Sequence, residues 1–579
     1  MTDVKQLITE HLDIWLTAES EKKSGRGRSF GAKSSMYGVQ KLRELILDLA
    51  VFGKLVENLQ GNIEQLIKDI ELKKQSLILN GKFPQLKFKK DLSQKPSLVL
   101  PNGWAWIQLG DLGWTQTGNT PQKQSITNNS ELLPFIRPNH ITSSGIDASQ
   151  EFVSLEDALK SSRVASANSL LMVCIGSIGK VAIVDYPCCF NQQINALTPV
   201  CINSQYLLYA TQSSYFQKVA KENSSQTTLP ILNKGKWEQL WIALPCLEEQ
   251  ELIVAKVDEL MQLCDQLEQQ QNLSTEAHEQ LVDVLLNALT NSANADEFQQ
   301  NWQRISANFD LLFTTDYSIE QLKQTILQLA VMGKLVKQYP TDEPASELLK
   351  QIAEEKAKLV KEGKIKKSKP LPEITDDEKP FELPSGWEWE RLNALVSLLG
   401  DGLHGTPEYE SNTGLYFING NNLNDGIIQI KPETKTVTKE SFEKNKKNLT
   451  IRTVLVSING TIGNVAFYKD EPVILGKSAC YFNLLEPLSM DFIKLVINSP
   501  YFYKYAASEV TGTTIKNLSL ASMNKFPIPV PMLNEQKNIV EKVNQLFSII
   551  DQLRVLQTKA QQTKLHLADV LVANAVEGA

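Results

Sequence analysis

Two stretches of the chain share one long hydrophobic pattern. After Leu244-Pro245-Cys246-Leu247-Glu248-Glu249-Gln250, apolar residues fall at Ile253, Val257, Leu260, Cys264 and Leu267. After Val530-Pro531-Met532-Leu533-Asn534-Glu535-Gln536 they fall at Ile539, Val543, Leu546, Ile550 and Leu553, at a shift of 286 residues. Alternating steps of four and three make a coiled-coil seam, and proline suits a helix start. The pattern predicts two matching long helices, ending near Leu289 and Val576. Both seams turn polar midway, at Gln271, Ser274 and His278 and at Gln557, Ala560 and Lys564. Apolar positions then resume at Leu281 and Leu285, and at Leu567 and Leu571. A polar layer that fixes register and a solvated gap both fit this break.

Shorter stretches repeat as well. Ile8–Leu16 resembles Ile305–Phe313, and each predicts one amphipathic helix. Tyr37–Val56 resembles Tyr317–Val336; Leu49-Ala50-Val51-Phe52-Gly53-Lys54-Leu55-Val56 in the first is answered by Leu329-Ala330-Val331-Met332-Gly333-Lys334-Leu335-Val336 in the second. Gly53 is placed to end its helix. Further helices are predicted over 63–78 and 345–360. Each leads into a lysine-rich linker, with Lys82, Lys87, Lys89 and Lys90 in one and Lys364, Lys366, Lys367 and Lys369 in the other. A Gly/Ser/basic segment, 22–35, occurs in the first copy alone and reads as a loop or as a phosphate-contacting arm.

Between linker and long helix the period shortens to β-like runs bounded by Gly, Asn and Pro. The two modules open with Leu100-Pro101-Asn102-Gly103-Trp104-Ala105-Trp106 and Leu383-Pro384-Ser385-Gly386-Trp387-Glu388-Trp389. Phe135–Ile141 parallels Phe417–Leu423. Leu170–Ile175 enters the turn Gly176-Ser177-Ile178-Gly179-Lys180, and Val454–Asn459 enters Gly460-Thr461-Ile462-Gly463-Asn464. A strand, a glycine turn and a second strand follow from this spacing. Ser214-Tyr215-Phe216 and Pro500-Tyr501-Phe502 mark short helices. Gln226-Thr227-Thr228-Leu229 and Gly512-Thr513-Thr514-Ile515 mark polar loops. The modules diverge elsewhere, most visibly at Thr120–Lys123 against Thr406–Glu410. The predicted layout is an N-terminal helical region and linker (1–99), a first module (100–246), a central helical region (247–382), a second module (383–530) and a C-terminal long helix (531–579). The fold class is α+β.

Composition narrows the function. Net charge is −7, and the modules are neutral: 100–246 holds nine basic and nine acidic residues, 383–532 fourteen of each. Broad nonspecific attraction to nucleic acid is therefore not expected. No apolar run is long enough to span a membrane. Seven cysteines without a CxxC pair, and no signal-like N-terminus, fit a reducing cytoplasm and no zinc site. No Pro-Pro dipeptide occurs, which removes the Asp/Asn-Pro-Pro-aromatic motif of amino-methyltransferases. Gly476-Lys477-Ser478 lacks the earlier glycine of a P-loop. Glu71 and Lys73 have a nuclease-like spacing but sit in a predicted helix, where an ion-pair face explains them. His11, His140, His278, His404 and His566 lack metal-ligand spacing. With no catalytic constellation, the chain reads as a binding component and not an enzyme.

The order of these motifs, duplicated along the whole chain, resembles the specificity subunits of type I restriction–modification enzymes. The motifs are the Pro-x-Leu-x-Glu-Gln helix starts at Pro245 and Pro531, the Gly-Ser/Thr-Ile-Gly turns at Gly176 and Gly460, and the Leu-Ala-Val-x-Gly-Lys-Leu-Val pair. The extended N-terminal helical region is similar to one subgroup of that family. The resemblance implies two target-recognition domains, each reading half of an asymmetric bipartite site on double-stranded DNA. It implies an antiparallel coiled coil between them. It also implies two methyltransferase subunits as partners, with restriction/translocase subunits. S-adenosylmethionine, ATP and Mg2+ would belong to those partners, and this chain would hold no cofactor or metal.

Base reading needs paired donors and acceptors at major-groove edges. The expected DNA contacts in the first module are Thr120, Lys123, Arg137, Asn139, His140, Ser177, Lys180, Gln192, Gln193, Gln226 and Thr227. In the second they are His404, Thr406, Asn419, Asn421, Asn422, Thr461, Asn464, Lys477, Thr513, Thr514 and Lys516. Lys123, Lys180, Lys477 and Lys516 suit phosphates better than bases. A coiled-coil adaptor with two modules for non-DNA ligands is the alternative.

Overall fold

Each long pattern folds as one helix in the computed structural model, Leu247–Thr290 with 44 residues and Leu533–Glu577 with 45. Each is roughly 66–68 Å long at about 1.5 Å per residue. The structure describes residues 4–18, 36–81, 95–142, 145–147, 149–161, 163–225, 229–339, 341–367, 370–510 and 516–577. The segment 22–35, Lys82 to Lys90, Lys369, Gln226 to Thr228 and Gly512 to Ile515 lie outside those residues. The chain forms two compact units, Met1–Ser274 with Lys559–Ala579, and Thr275–Thr558.

In the first unit, Ile253, Val257, Leu260 and Cys264 from the start of one long helix share a core with Ala568 and Ala575 from the end of the other. In the second unit, Val282, Leu286 and Leu289 share a core with Ile539, Val543 and Ile550. Start meets end in both cases, so the helices run antiparallel. The seam resumes one position later than its early phase predicts. Val282, Leu286 and Ala568 are buried, while Leu281 and Leu567 are exposed. A straight helix turns every 3.6 residues, so a 3.5-residue seam drifts by one position over several turns. The midway polar residues are also not a simple gap. His278 donates from Nε2 to the Leu311 carbonyl (3.1 Å), and Gln557 from Nε2 to the Phe313 carbonyl (2.5 Å). Those carbonyls end the short helix Phe309–Leu312. Gln561 does the same for Thr17 (3.0 Å), the last residue of Leu12–Thr17. The polar break thus satisfies helix-end carbonyls that would otherwise lack partners.

The single helices expected over 8–16 and 305–313 are each two. Val4–Glu10 is followed by Leu12–Thr17, and Ala295–Ala307 by Phe309–Leu312. The breaks fall at His11 and Asn308, corresponding positions of the repeat. The helices Tyr37–Val51 and Asp316–Val331 follow, and Gly53 and Gly333 take φ of +65° and +68° just beyond their ends. Glycine adopts that left-handed region at least cost. There is a packing reason too: a Cβ at either site would lie 2.5 Å from Cγ of Pro101 or Pro384, the proline that opens each module. The next residue, Lys54, donates to the Val576 carbonyl (2.7 Å), and Lys334 to those of Thr290 and Ser292 (3.1 and 3.2 Å). A cation at a helix C-terminus satisfies both the carbonyls and the dipole.

Each module is built on a four-stranded antiparallel sheet. In the first module β1 is Gly113–Thr117, β2 Leu133–Ile136, β3 Ser169–Val173, β4 Val181–Val184, β5 Cys188–Phe190 and β6 Ile194–Pro199. The sheet order is β4-β3-β6-β1, and β5 pairs in parallel with β2. In the second module β7 is Val396–Asp401, β8 Tyr416–Ile418, β9 Thr453–Ser457, β10 Val465–Phe467, β11 Val473–Leu475 and β12 Ala479–Leu484. The order repeats as β10-β9-β12-β7, and β11 pairs in parallel with β8. Cys188 and Cys189 sit in different cores, as neighbours on one strand must.

The proline-led helix start is a lock between module and long helix. Glu249 accepts from Trp104 Nε1 (3.0 Å) and Glu535 from Trp387 Nε1 (2.8 Å). Gln250 donates to the Pro245 carbonyl (3.0 Å) and accepts from Asn203 N (3.0 Å). Gln536 repeats both bonds with Pro531 (3.1 Å) and Ser489 (3.0 Å). All four side chains are buried, so one motif hydrogen-bonds the tryptophan that opens its module and the start of a helix inside it.

Candidate nucleic-acid interface

Antiparallel pairing brings the C-terminal ends of β1 and β3 to the N-terminal ends of β6 and β4. The parallel pair adds the C-terminal ends of β2 and β5. The loops leaving these ends are tied by one set of backbone bonds, which both modules repeat. Gly118 N donates to Ile194 O (3.0 Å) and Gly402 N to Ala479 O (3.2 Å). Asn119 N donates to Phe190 O (3.0 Å) and Leu403 N to Leu475 O (2.6 Å). Asn191 N donates to Ile136 O (2.9 Å) and Gly476 N to Ile418 O (2.8 Å). Cys174 N donates to Gln193 O (2.8 Å) and Ile458 N to Ser478 O (3.0 Å). Gly176 N donates to Pro230 O (3.0 Å) and Gly460 N to Lys516 O (3.1 Å). A Cβ at Gly118 or Gly402 would overlap the facing carbonyls of Phe190 and Asn191, or of Leu475 and Gly476. Only glycine lets these backbones approach so closely.

This end gathers Thr120, Ser177, Lys180, Gln192 and Gln193 in the first module. In the second it gathers His404, Asn419, Thr461, Asn464, Lys477 and Lys516. Thr120, Ser177, Lys180, Gln192, His404, Lys477 and Lys516 are exposed; Gln193, Asn419, Thr461 and Asn464 are half-buried. Asn139, Asn421 and Thr406 are exposed on the same loops. Lys123 is exposed three residues beyond Thr120, on the turn Lys123–Ser125, past the backbone bonds that tie the cluster. Gln226, Thr227, Thr513 and Thr514 lie outside the described residues.

Three expected contacts are engaged within the fold. Asn422 is buried. Its Oδ1 accepts from Asn419 N (3.0 Å), and its Nδ2 donates to Gln429 O (3.0 Å) and Thr434 Oγ1 (3.1 Å). His140 holds the matching place, with Nδ1 accepting from Arg137 N (3.3 Å). Arg137 makes a two-pronged ion pair with Glu151, Nε–Oε2 at 2.5 Å and Nη2–Oε1 at 3.0 Å, above the Phe135 ring. The hydrogen bonds to Glu151 raise the Arg137 pKa, and the same bonds lower that of Glu151. The Arg137 guanidinium, expected at a base edge, is paired within the fold.

The sequence also hid participants. Asn191 is buried at the loop centre; its Oδ1 accepts from Gln193 N (2.9 Å) and its Nδ2 donates to Thr120 Oγ1 (3.0 Å). Ser478 donates to Asn419 Oδ1 (3.1 Å) and accepts from Gly420 N (2.9 Å). Both flank residues already picked out, Gln192 and Lys477, and that adjacency was the available signal. His404 Nε2 lies 2.5 Å from Asp401 Oδ2. Among the described residues, no group of three or more His, Cys, Asp or Glu is placed to hold a metal ion. No described helix is long and apolar enough to cross a membrane.

The family model for the type I restriction modification DNA specificity domain matches residues 101–277 and 384–561. The type I restriction enzyme EcoAI specificity subunit of Escherichia coli is 35% identical over 99% of this chain and 100% of its own. The EcoEI specificity subunit of Escherichia coli is 34% identical over 98% of this chain and 99% of its own. The solved HsdS subunit from Thermoanaerobacter tengcongensis is 16% identical, aligning over 83% of this chain and 98% of that one with a TM-score of 0.37. With one matched domain in each half and full-length relatives above 30% identity, the chain belongs to the type I restriction–modification DNA specificity family.

Proposed function

We propose that this chain is the DNA-reading subunit of a type I restriction–modification complex. Each module reads one half of an asymmetric, bipartite site. One observation carries this: the two modules repeat the same backbone clamp at one sheet end and dress it with different side chains. The first offers Thr120, Gln192 and Lys180; the second offers His404, Lys477 and Asn464. A constant frame with variable polar tips is what two readers of unlike half-sites need. A non-DNA adaptor gains no support from the family match.

The chain itself is non-catalytic in this reading and acts in the cytoplasm. Two methyltransferase subunits supply S-adenosylmethionine and adenine N6-methylation, and restriction/translocase subunits supply ATP- and Mg2+-dependent cleavage. The paired long helices act as the spacer between the readers. Neutral modules cannot draw much affinity from phosphate contacts alone, so partner subunits contribute the rest. A salt titration of DNA binding tests this. The isolated chain should bind weakly and the methyltransferase complex tightly; equal affinity at every salt concentration would overturn it.

A further inference from the structure

The loop Asn191-Gln192-Gln193 carries a directional chain of hydrogen bonds. It starts at a backbone donor whose polarity is fixed: Gln193 N–H donates to Asn191 Oδ1 (2.9 Å). The other end of the Asn191 amide must then be Nδ2, which donates to Thr120 Oγ1 (3.0 Å). The Thr120 hydroxyl has one proton, and it goes to Gln192 Oε1. The end of the Gln192 amide that faces Thr120 is thus its oxygen; a flipped amide would instead donate to the hydroxyl's remaining lone pair and turn that proton out to solvent. Asn191 is only 6% exposed, so water does not compete for its amide, whereas Gln192 is exposed. The chain therefore runs from a fixed backbone group to a surface amide whose oxygen faces Thr120.

We propose that Gln192 reads the major-groove edge of an adenine in the half-site of the first module, with Asn191 and Thr120 as positioning residues. Oε1 keeps a second lone pair beside the two protons of Nε2. Acceptor beside donor is the complement of adenine, whose N6 donates and N7 accepts. Guanine presents two acceptors on that edge and cytosine a lone donor, so neither satisfies both ends. The second module lacks the device. The residues at the matching backbone bonds are Gly476 and Lys477. A Cβ at position 476 would collide with the Asn419 amide. Before the shared Thr-Pro (Thr120-Pro121 and Thr406-Pro407), its loop also carries two extra residues, His404-Gly405.

This inference rests on the first module being a half-site reader, and the experiment separates the two claims. The chain is expressed with its methyltransferase subunits, and the methylated motif is sequenced for the wild type, Gln192→Ala and Thr120→Val. The wild type should give a bipartite motif; failure to do so overturns the underlying reading. Gln192→Ala should relax one A·T position in one half, with roughly five- to 150-fold less discrimination there, and leave the other half intact. Thr120→Val, nearly isosteric, should relax the same position less, and should lower the melting temperature by a few degrees because it strands the buried Asn191 Nδ2 donor. An unchanged motif for Gln192→Ala, or relaxation at a G·C position, would overturn the adenine assignment. A Thr120→Val variant with the wild-type motif would overturn the positioning role. Where a variant methylates too little to sequence, competition between duplexes differing at that position reads the same ratio.

Discussion

The tryptophan–glutamate lock of the second unit allows a quantitative test. Trp387 and Glu535 are both buried, and Trp387 Nε1 donates to the Glu535 carboxylate at 2.8 Å. Glu535→Ala strands a buried N–H and opens a cavity. An unpaired buried donor costs about 1–3 kcal/mol, so a loss of about 3 kcal/mol with the lost packing is expected. Glu535→Gln keeps an acceptor and removes a buried charge, and should stay within about 1 kcal/mol of wild type at neutral pH. For a cooperative unit of roughly 280 residues, unfolding entropy near 0.6 kcal/mol/K makes 3 kcal/mol about 5 °C in Tm. Burial raises the Glu535 pKa. An acid whose folded pKa lies above its unfolded value takes up protons on folding, so acidification from neutral pH towards about 4.3 should stabilise the wild type. Glu535→Gln lacks that group and should lack that contribution. Calorimetric melts of the full chain at several pH values read both effects. Glu535→Gln as costly as Glu535→Ala, or a wild-type-to-Gln difference that ignores pH, would refute the reasoning.

Further substitutions have equally direct outcomes. Gly402→Ala should spoil the second half of the methylated motif while leaving the first, because its Cβ meets the Leu475 and Gly476 carbonyls; motif sequencing reads this. Removing Arg137 and Glu151 together should leave every motif position unchanged, since the pair is engaged with itself. The hydrogen bond from Arg391 holds the Glu378 carboxyl down to about 2. The advantage of the wild type over Glu378→Gln should thus be present above about pH 4.3 and vanish as pH falls towards 2 in an acid titration. Lys334→Met should fray the last turn of the helix Leu247–Thr290, by up to about 1 kcal/mol, as faster amide exchange near Thr290.

The large elements were legible because they rest on periodicity. A seam sustained over several turns predicts a long helix whatever surrounds it, and the duplicated Gly-Ser/Thr-Ile-Gly turns marked both β3–β4 and β9–β10. What escaped depends on contacts between residues far apart in sequence. Periodicity could not reveal that Gln557 binds the Phe313 carbonyl, so the seam break looked like a gap or a register device. Residue type misled at the loops for a related reason. Arg137 and Asn422 have the chemistry of base readers, yet Glu151 and the Asn419–Thr434 turn use that chemistry internally. Asn191 went unnoticed because burial, which composition does not show, is what gives its amide a fixed direction.

Exchange of residues 100–246 for the corresponding module of the EcoAI relative tests the central claim most directly. With matching methyltransferase subunits present, sequencing of methylated DNA should show one half of the bipartite motif replaced and the other half unaltered. Alteration of both halves, or of neither, would contradict the account of two independent readers on one duplicated frame.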